Sequence, residues 1–162
     1  MLIGRLPFFL ILFLIEQYRL VVTKVDEVPK VLVCGDSDDI RNEIKSGLSM
    51  LDCEFVDARN GYEVMSEVSY EDFDLIVLDM QTGKMGGMAT CLEIRLEESG
   101  GRCEHVPVLL LVERRPDVFL ARRAQADGFL VKPLNPIKLY NAATALIEGG
   151  SYEDESYLPE LV

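Results

Sequence analysis

The sequence predicts a doubly wound α/β domain, with five parallel strands in one sheet and helices on both of its faces. Two observations predict it. Short strand-like runs, KVLVC, EFVDA, DLIVL, VPVLLLV and GFLV, recur between residues 30 and 131. Each is followed by a segment with helical spacing or helix-opening residues, so strands and helices alternate over residues 29–148. Such alternation calls for a parallel sheet, because each right-handed crossover returns the chain to the sheet with a helix laid on one face.

Taken in order, Lys30 to Cys34 reads as strand one. Asp38 to Leu51 reads as helix one, since Ile40, Ile44, Leu48 and Leu51 fall at helical spacing; Asp38 or Asp39 suits its N-cap. Glu54 to Ala58 is strand two, and Tyr62 to Ser69 is helix two with Val64 and Val68 inward. Asp74 to Leu78 is strand three, whose continuous apolar run marks a strand buried on both faces. Met88 to Glu97 is helix three, stopped by Ser99-Gly100-Gly101. Val106 to Val112 is strand four, with Pro107 near its start, where a missing N–H is tolerated. Pro116 to Gln125 is helix four, with proline suited to its first position. Gly128 to Val131 is strand five. Asn135-Pro136 opens helix five, which runs to Ile147 before Gly149-Gly150 ends it. The flavodoxin-like strand order 2-1-3-4-5 is the common solution at this size. Residues 149–162 form an acidic tail, expected to be frayed.

The chain divides into residues 1–22, a polar linker at 23–28, the α/β domain at 29–148 and the tail. Leu6 to Ile15, LPFFLILFLI, is apolar throughout, yet is about half of the ~20 residues a membrane-spanning helix needs. It resembles the apolar region of a signal peptide, but no small-residue cleavage site follows. Three readings stand: a short membrane anchor, a hydrophobic helix docked on a partner, or a start-site extension with the native chain beginning near Val21. Contact with a membrane through residues 1–22 follows from the first.

Of 162 residues, 49% are hydrophobic, which indicates a globular domain, and the net charge is −12. Glu153, Asp154, Glu155 and Glu160 carry four of those charges. The acidic balance argues against nucleic-acid binding, which needs a basic footprint. Cys34, Cys53, Cys91 and Cys103 have no CxxC spacing, so reduced thiols and a cytoplasmic location are expected. Cys103-x-His105 lacks further metal ligands nearby. With one histidine and no serine nucleophile motif, the sequence does not read as an enzyme.

In an open parallel sheet, ligands bind outside the carboxyl ends of the strands. Three polar groups should meet there: Gly35-Asp36 after strand one, Asp79 after strand three, and Lys132-Pro133 after strand five. Two carboxylates and an ammonium suit a divalent cation and a phosphoryl group, and a carboxylate can itself be the nucleophile, giving an aspartyl phosphate. A structural alternative has Asp36 capping helix one and Lys132 paired with Asp79.

The stretches KVLVCGDSDDIRNEI, DLIVLD with its Met85-Gly86-Gly87 turn, PVLLLV, and GFLVKP together resemble the receiver domain of two-component response regulators, over about Pro29 to Glu148. The resemblance implies a phosphorelay phosphoprotein. Asp79 would be the phosphoacceptor and Lys132 its phosphoryl ion pair. Mg²⁺ would be held by Asp36, Asp79 and the backbone carbonyl of Gln81. Val112 and Phe129 would take the switch positions, and Pro133 the place that commonly follows a cis peptide bond. It implies a histidine kinase or phosphotransfer protein as donor. A downstream partner, or the chain itself, would be read through helix four, strand five and helix five, where Phe119, Arg122, Arg123, Phe129 and Lys138 would form a basic patch with exposed apolar residues. The arginines solvating a helix face, with Phe119 in the core, is the alternative.

Several positions depart from the family pattern. Gly35 replaces the first acid, so Mg²⁺ should bind weakly. Val112 replaces a hydroxyl residue and is followed by Glu113 where a small residue is usual. Gly83 replaces the proline of the turn. Two readings follow: a stand-alone phosphoacceptor receiver, or a receiver-like interaction module independent of phosphate. A third, a dehalogenase-fold phosphohydrolase built on Asp79-x-Gln81, lacks the second acid and follows the wrong strand.

Overall fold

A computed structural model describes residues 28–157. The hydrophobic segment 1–22, and with it the membrane expectation, lies outside the described residues. Among those described, no helix is long and apolar enough to cross a membrane.

Six strands form one parallel sheet: β1 (Lys30–Cys34), β2 (Glu54–Ala58), β3 (Leu75–Asp79), β4 (Val108–Val112), β5 (Gly128–Val131) and β6 (Tyr152–Glu153), in the order β2-β1-β3-β4-β5-β6. Five helices connect or follow the first five: α1 (Asp38–Gly47), α2 (Gly61–Tyr70), α3 (Gly87–Ser99), α4 (Val118–Arg123) and α5 (Pro136–Ile147). The expected order is present, with one strand more than expected at the β5 edge.

The sheet divides the apolar residues by alternation. Leu32, Cys34, Ile76, Leu78, Leu110 and Val112 face α2, α3 and α4, where Val64, Ile94 and Ala121 meet them. Val31, Val33, Val77, Leu109 and Leu111 face α1 and α5, meeting Ile44, Leu48, Leu139 and Leu146. The central strands β3 and β4 are buried along their whole length, as their unbroken apolar runs require.

Element ends differ from the sequence reading for local reasons. Ser37, not Asp38 or Asp39, caps α1: its backbone is extended and its hydroxyl accepts from the Ile40 N–H at 3.3 Å. The two aspartates occupy the first turn, where the helix dipole favours them. α1 also ends at Gly47 instead of Leu51. Leu48 stays in the core through a turn in which the Leu51 N–H bonds the Leu48 carbonyl. The segment expected as one helix from Pro116 begins as a 3-10 turn, Arg115–Asp117. There the Asp117 carboxylate accepts from the Arg114 N–H and guanidinium.

The tail is the main correction. Residues 151–157 are not frayed: Tyr152 and Glu153 pair in parallel with Gly128 and Phe129, and Glu155–Tyr157 form a 3-10 turn. Gly149, with φ of +83°, turns the chain back after α5, a conformation that costs glycine little.

Candidate functional site

Asp79 is the last residue of β3 and only 4% exposed. The β1–β3 register sets Cys34 beside Leu78, which brings Gly35-Asp36 to the end of Asp79's strand. β5 ends at Val131, beside Val112 of β4, so Lys132 leaves the sheet at the same edge. The three expected strand ends therefore converge.

The Lys132 ammonium donates to Asp79 Oδ1 at 3.0 Å and to Glu113 Oε1 at 2.6 Å. Burial alone would lower the lysine's pKa, but the bonds to Glu113 and Asp79 outweigh it and hold the pKa above the usual lysine value. Lys132 is thus a fixed cation. Asp79 Oδ1 also accepts from the Gln81 N–H at 3.2 Å. Both hydrogen bonds fall on one oxygen, which leaves Oδ2 the less encumbered of the two. Glu113 is the residue that the strand-end argument did not bring into the site. Its signal was present as a long acid where a small residue is usual.

The loop after Asp79 is pinned by its own groups. Thr82 is buried, and its hydroxyl donates to the Asp79 carbonyl at 3.1 Å. The Gly87 N–H bonds the Met80 carbonyl. A Cβ at Gly87 would stand 2.6 Å from the Asp79 carbonyl oxygen, so the start of α3 can approach the end of β3 only with glycine there. Gly83 meets no such demand; nothing lies within 4 Å of where its Cβ would be. The left-handed residue of this turn is Lys84, with φ of +61°. The Lys132–Pro133 peptide bond is cis, in line with the expectation for Pro133.

The groups expected to hold a metal are the Asp36 and Asp79 carboxylates and the Gln81 carbonyl. No set of three or more His, Cys, Asp or Glu side chains comes together among the described residues. Two carboxylates still fit Mg²⁺, which takes one or two and completes its shell with water and phosphate oxygens. Gly35 offers no side-chain ligand, and its place is narrow: a Cβ there would stand 2.5 Å from Ile40 Cγ2. Arg41 is buried beneath this loop and donates to the Gly35 carbonyl and to Asp38.

Of the two residues expected at switch positions, Val112 is fully buried and Phe129 is 2% exposed, both in the core cluster under α4. Phe129 is therefore not part of an exposed patch as expected. Phe119 is, at 66% exposure. Arg122 and Lys138 lie at this face, half-exposed and paired: Arg122 with Glu153 and Lys138 with Asp154. Two of the three cations of the expected patch, Arg122 and Lys138, are thus paired with the chain's own tail. Burial pushes the thiols of Cys34 and Cys91 up to about 12, so neither is a nucleophile near neutral pH.

The family model described as response regulator receiver domain matches residues 31–144. A protein named probable transcriptional regulator ycf27, from Cyanophora paradoxa, is 31% identical over 112 residues, covering 68% of this chain and 44% of its own length. The alkaline phosphatase synthesis transcriptional regulatory protein PhoP of Bacillus subtilis (strain 168) is 26% identical over 120 residues, covering 73% of this chain and 48% of its own. The chain thus spans less than half the length of these curated relatives. Among solved structures, the chemotaxis response regulator CheY4 of Vibrio cholerae superposes with a TM-score of 0.66 at 25% identity, covering 74% of this chain and 99% of that one.

Proposed function

From the premise that this chain belongs to the response regulator receiver domain family, we propose that it accepts a phosphoryl group on Asp79. The donor would be a histidine kinase or phosphotransfer protein, the partners with which receiver domains interact. The observation that carries this reading is the Lys132–Asp79 contact of 3.0 Å at the strand end flanked by Asp36.

The carboxylate of Asp79 attacks the phosphorus of a phosphohistidine. An O–P bond forms, the N–P bond breaks, and the imidazole leaves with its electron pair and takes up a proton. Lys132, held charged by its partners, neutralises the equatorial phosphoryl oxygens. Mg²⁺ bound through Asp36, Asp79 and the Gln81 carbonyl would supply further charge neutralisation. The Gln81 N–H holds Oδ1, and the Thr82 hydroxyl holds the carbonyl of Asp79, so the nucleophile is positioned before the donor arrives.

A second reading, an interaction module that does not depend on phosphate, is favoured by Val112 and Phe129. Val112 has no hydroxyl to draw toward a phosphoryl group, and Phe129 is already buried. A ligand shifts an equilibrium only by its differential affinity for the two states, and here one such contact is absent. The two readings separate on one experiment. Labelled acetyl phosphate with Mg²⁺ should modify the wild-type chain, fail on Asp79→Asn, and react slowly with Lys132→Met. Label retained in Asp79→Asn would move the acceptor elsewhere; no label in the wild type would leave the phosphate-independent module.

A further inference from the structure

Between α2 and α3 runs a groove of about 710 Å³. Tyr62, Met65 and Val68 of α2 line it, with Met85 from the turn before α3 and Cys103 from the loop after it. Its volume falls within the ~300–1,000 Å³ of sites that engulf a drug-sized molecule, so more than one large apolar side chain fits. Tyr62 is 65% exposed, and α3 carries Leu92 and Leu96, 42% and 56% exposed, about one helical turn apart. Apolar side chains grouped at the surface in this way mark an interaction site. A second recess, of about 560 Å³, starts at Val28 and shares Val68 and Cys103 with the groove. The two are therefore continuous, and lead from the first described residue to the space between α2 and α3.

Continuity with Val28 selects the occupant. The chain that precedes Val28 contains Leu6 to Ile15, apolar throughout and without a charge. Residues 16–27, which join that run to Val28, span up to ~40 Å when extended. The whole of α2, a helix of 10 residues, is about 15 Å long, so the run reaches any part of the groove. A tether of this length holds it there at an effective concentration on the order of millimolar. Charge agrees: residues 1–22 carry two arginines against one glutamate, while Glu93 and Glu97 line the α3 side of the groove. We propose that the groove between α2 and α3 is the docking site of this chain's own apolar run, Leu6 to Ile15. Met85 joins the groove to the turn after Asp79, its carbonyl accepting from the Gly61 N–H at 3.1 Å and the Thr90 hydroxyl at 3.4 Å. Docking requires no phosphoryl transfer at Asp79, so it stands or falls apart from the proposed function.

The test is alkylation of the full-length protein by N-ethylmaleimide at one fixed pH, read by peptide mass mapping. Cys103 lines the groove; Cys53, also partly exposed, lies outside it and serves as the control. Phe9→Asp/Phe13→Asp puts two charges into the run. Cys103 should react about tenfold faster in that variant than in the wild type, the ratio for a tether held at about ten times its dissociation constant, with Cys53 unchanged. Equal Cys103 rates overturn the proposal. So does protection that vanishes on dilution, which puts a second copy's run in the groove. Protection lost on adding phosphatidylcholine–phosphatidylglycerol vesicles gives the run to a membrane and overturns it too. Circular dichroism checks that the variant folds. If it does not, Phe9→p-benzoylphenylalanine, which keeps the position aromatic, replaces it. On irradiation this residue should cross-link to Met65 or Met85 within one chain; cross-links elsewhere, or none, overturn the proposal.

Discussion

Glu113 sets this site apart at the scale of single residues. Its carboxylate holds Lys132 at 2.6 Å, closer than Asp79 does. An arriving phosphoryl group must share that lysine and meets an extra negative charge. Glu113 is partly exposed, so a water-like interaction of about 1 kcal/mol is the fitting scale, equivalent to about fivefold in rate. Glu113→Ala should therefore speed acetyl-phosphate labelling of Asp79 by about that factor; an unchanged or slower rate would show that Glu113 instead orients Lys132 productively. Gly35 makes a second case. Restoring the acid with Gly35→Asp alone forces its Cβ against Ile40 Cγ2 at 2.5 Å. The double variant Gly35→Asp/Ile40→Ala should tighten Mg²⁺ in a titration where the single variant gains less. No tightening in either would place the metal elsewhere. Sequence spacing made Asp79, Asp36 and Lys132 legible because each sits at a strand end, where topology alone sets position. The Glu113–Lys132 bond was not legible, because it depends on side-chain rotamers that no spacing encodes.

Among the elements, the strands and helices followed from apolar runs and helical spacing, while their ends followed from single hydrogen bonds. Ser37 caps α1 in place of its acidic neighbours for that reason. β6 escaped the sequence reading because a two-residue strand has no period to detect, and acidic residues near a terminus read as solvated. Its attachment makes a pH prediction. Burial alone would raise the Asp154 pKa, but the bonds from Lys138, Ser156 and Val131 outweigh it and hold the carboxyl below the usual aspartate range. A depressed carboxyl contributes stability that is fully present above the unfolded value of about 3.9 and is lost as pH falls through the lower folded value. The Val131 amide resonance, which reports the Asp154 contact, should hold constant from neutral pH down to about 4.5 and shift only below ~3.9. A shift near pH 6 would mean another group governs the tail. Gly87→Ala tests the turn after Asp79: its Cβ would press on backbone, and overpacking of this kind costs ~1–3 kcal/mol, visible as a lower denaturant midpoint.

Across the whole molecule, stability and chemistry sit at opposite ends of the sheet. At the amino ends of β4 and β5, Arg95 pairs with Glu98 and Asp127, each at 2.5 Å, and bonds the carbonyls of Val106 and Gln125. Arg95, Glu98 and Asp127 are part-buried, so losing the arginine costs less than the ~3–5 kcal/mol of a fully buried pair. Arg95→Met should lower unfolding stability by about 1.5–3 kcal/mol, the scale of hydrogen bonds to charged groups, while leaving the labelling rate of folded protein intact. A proportional loss of labelling would couple the two ends. At the carboxyl ends, the family match and the convergence of Asp36, Asp79 and Lys132 support phosphoryl chemistry, while Val112 and the buried Phe129 weaken its relay to the face under the tail. The measurement that bears most directly on this is chemical mapping of the acceptor. The protein is incubated with acetyl phosphate and Mg²⁺, reduced with borohydride, and digested for peptide mass analysis. The account predicts that Asp79 is recovered as homoserine, and that Asp79→Asn yields none. Homoserine at another aspartate, or none in the wild type, would contradict it.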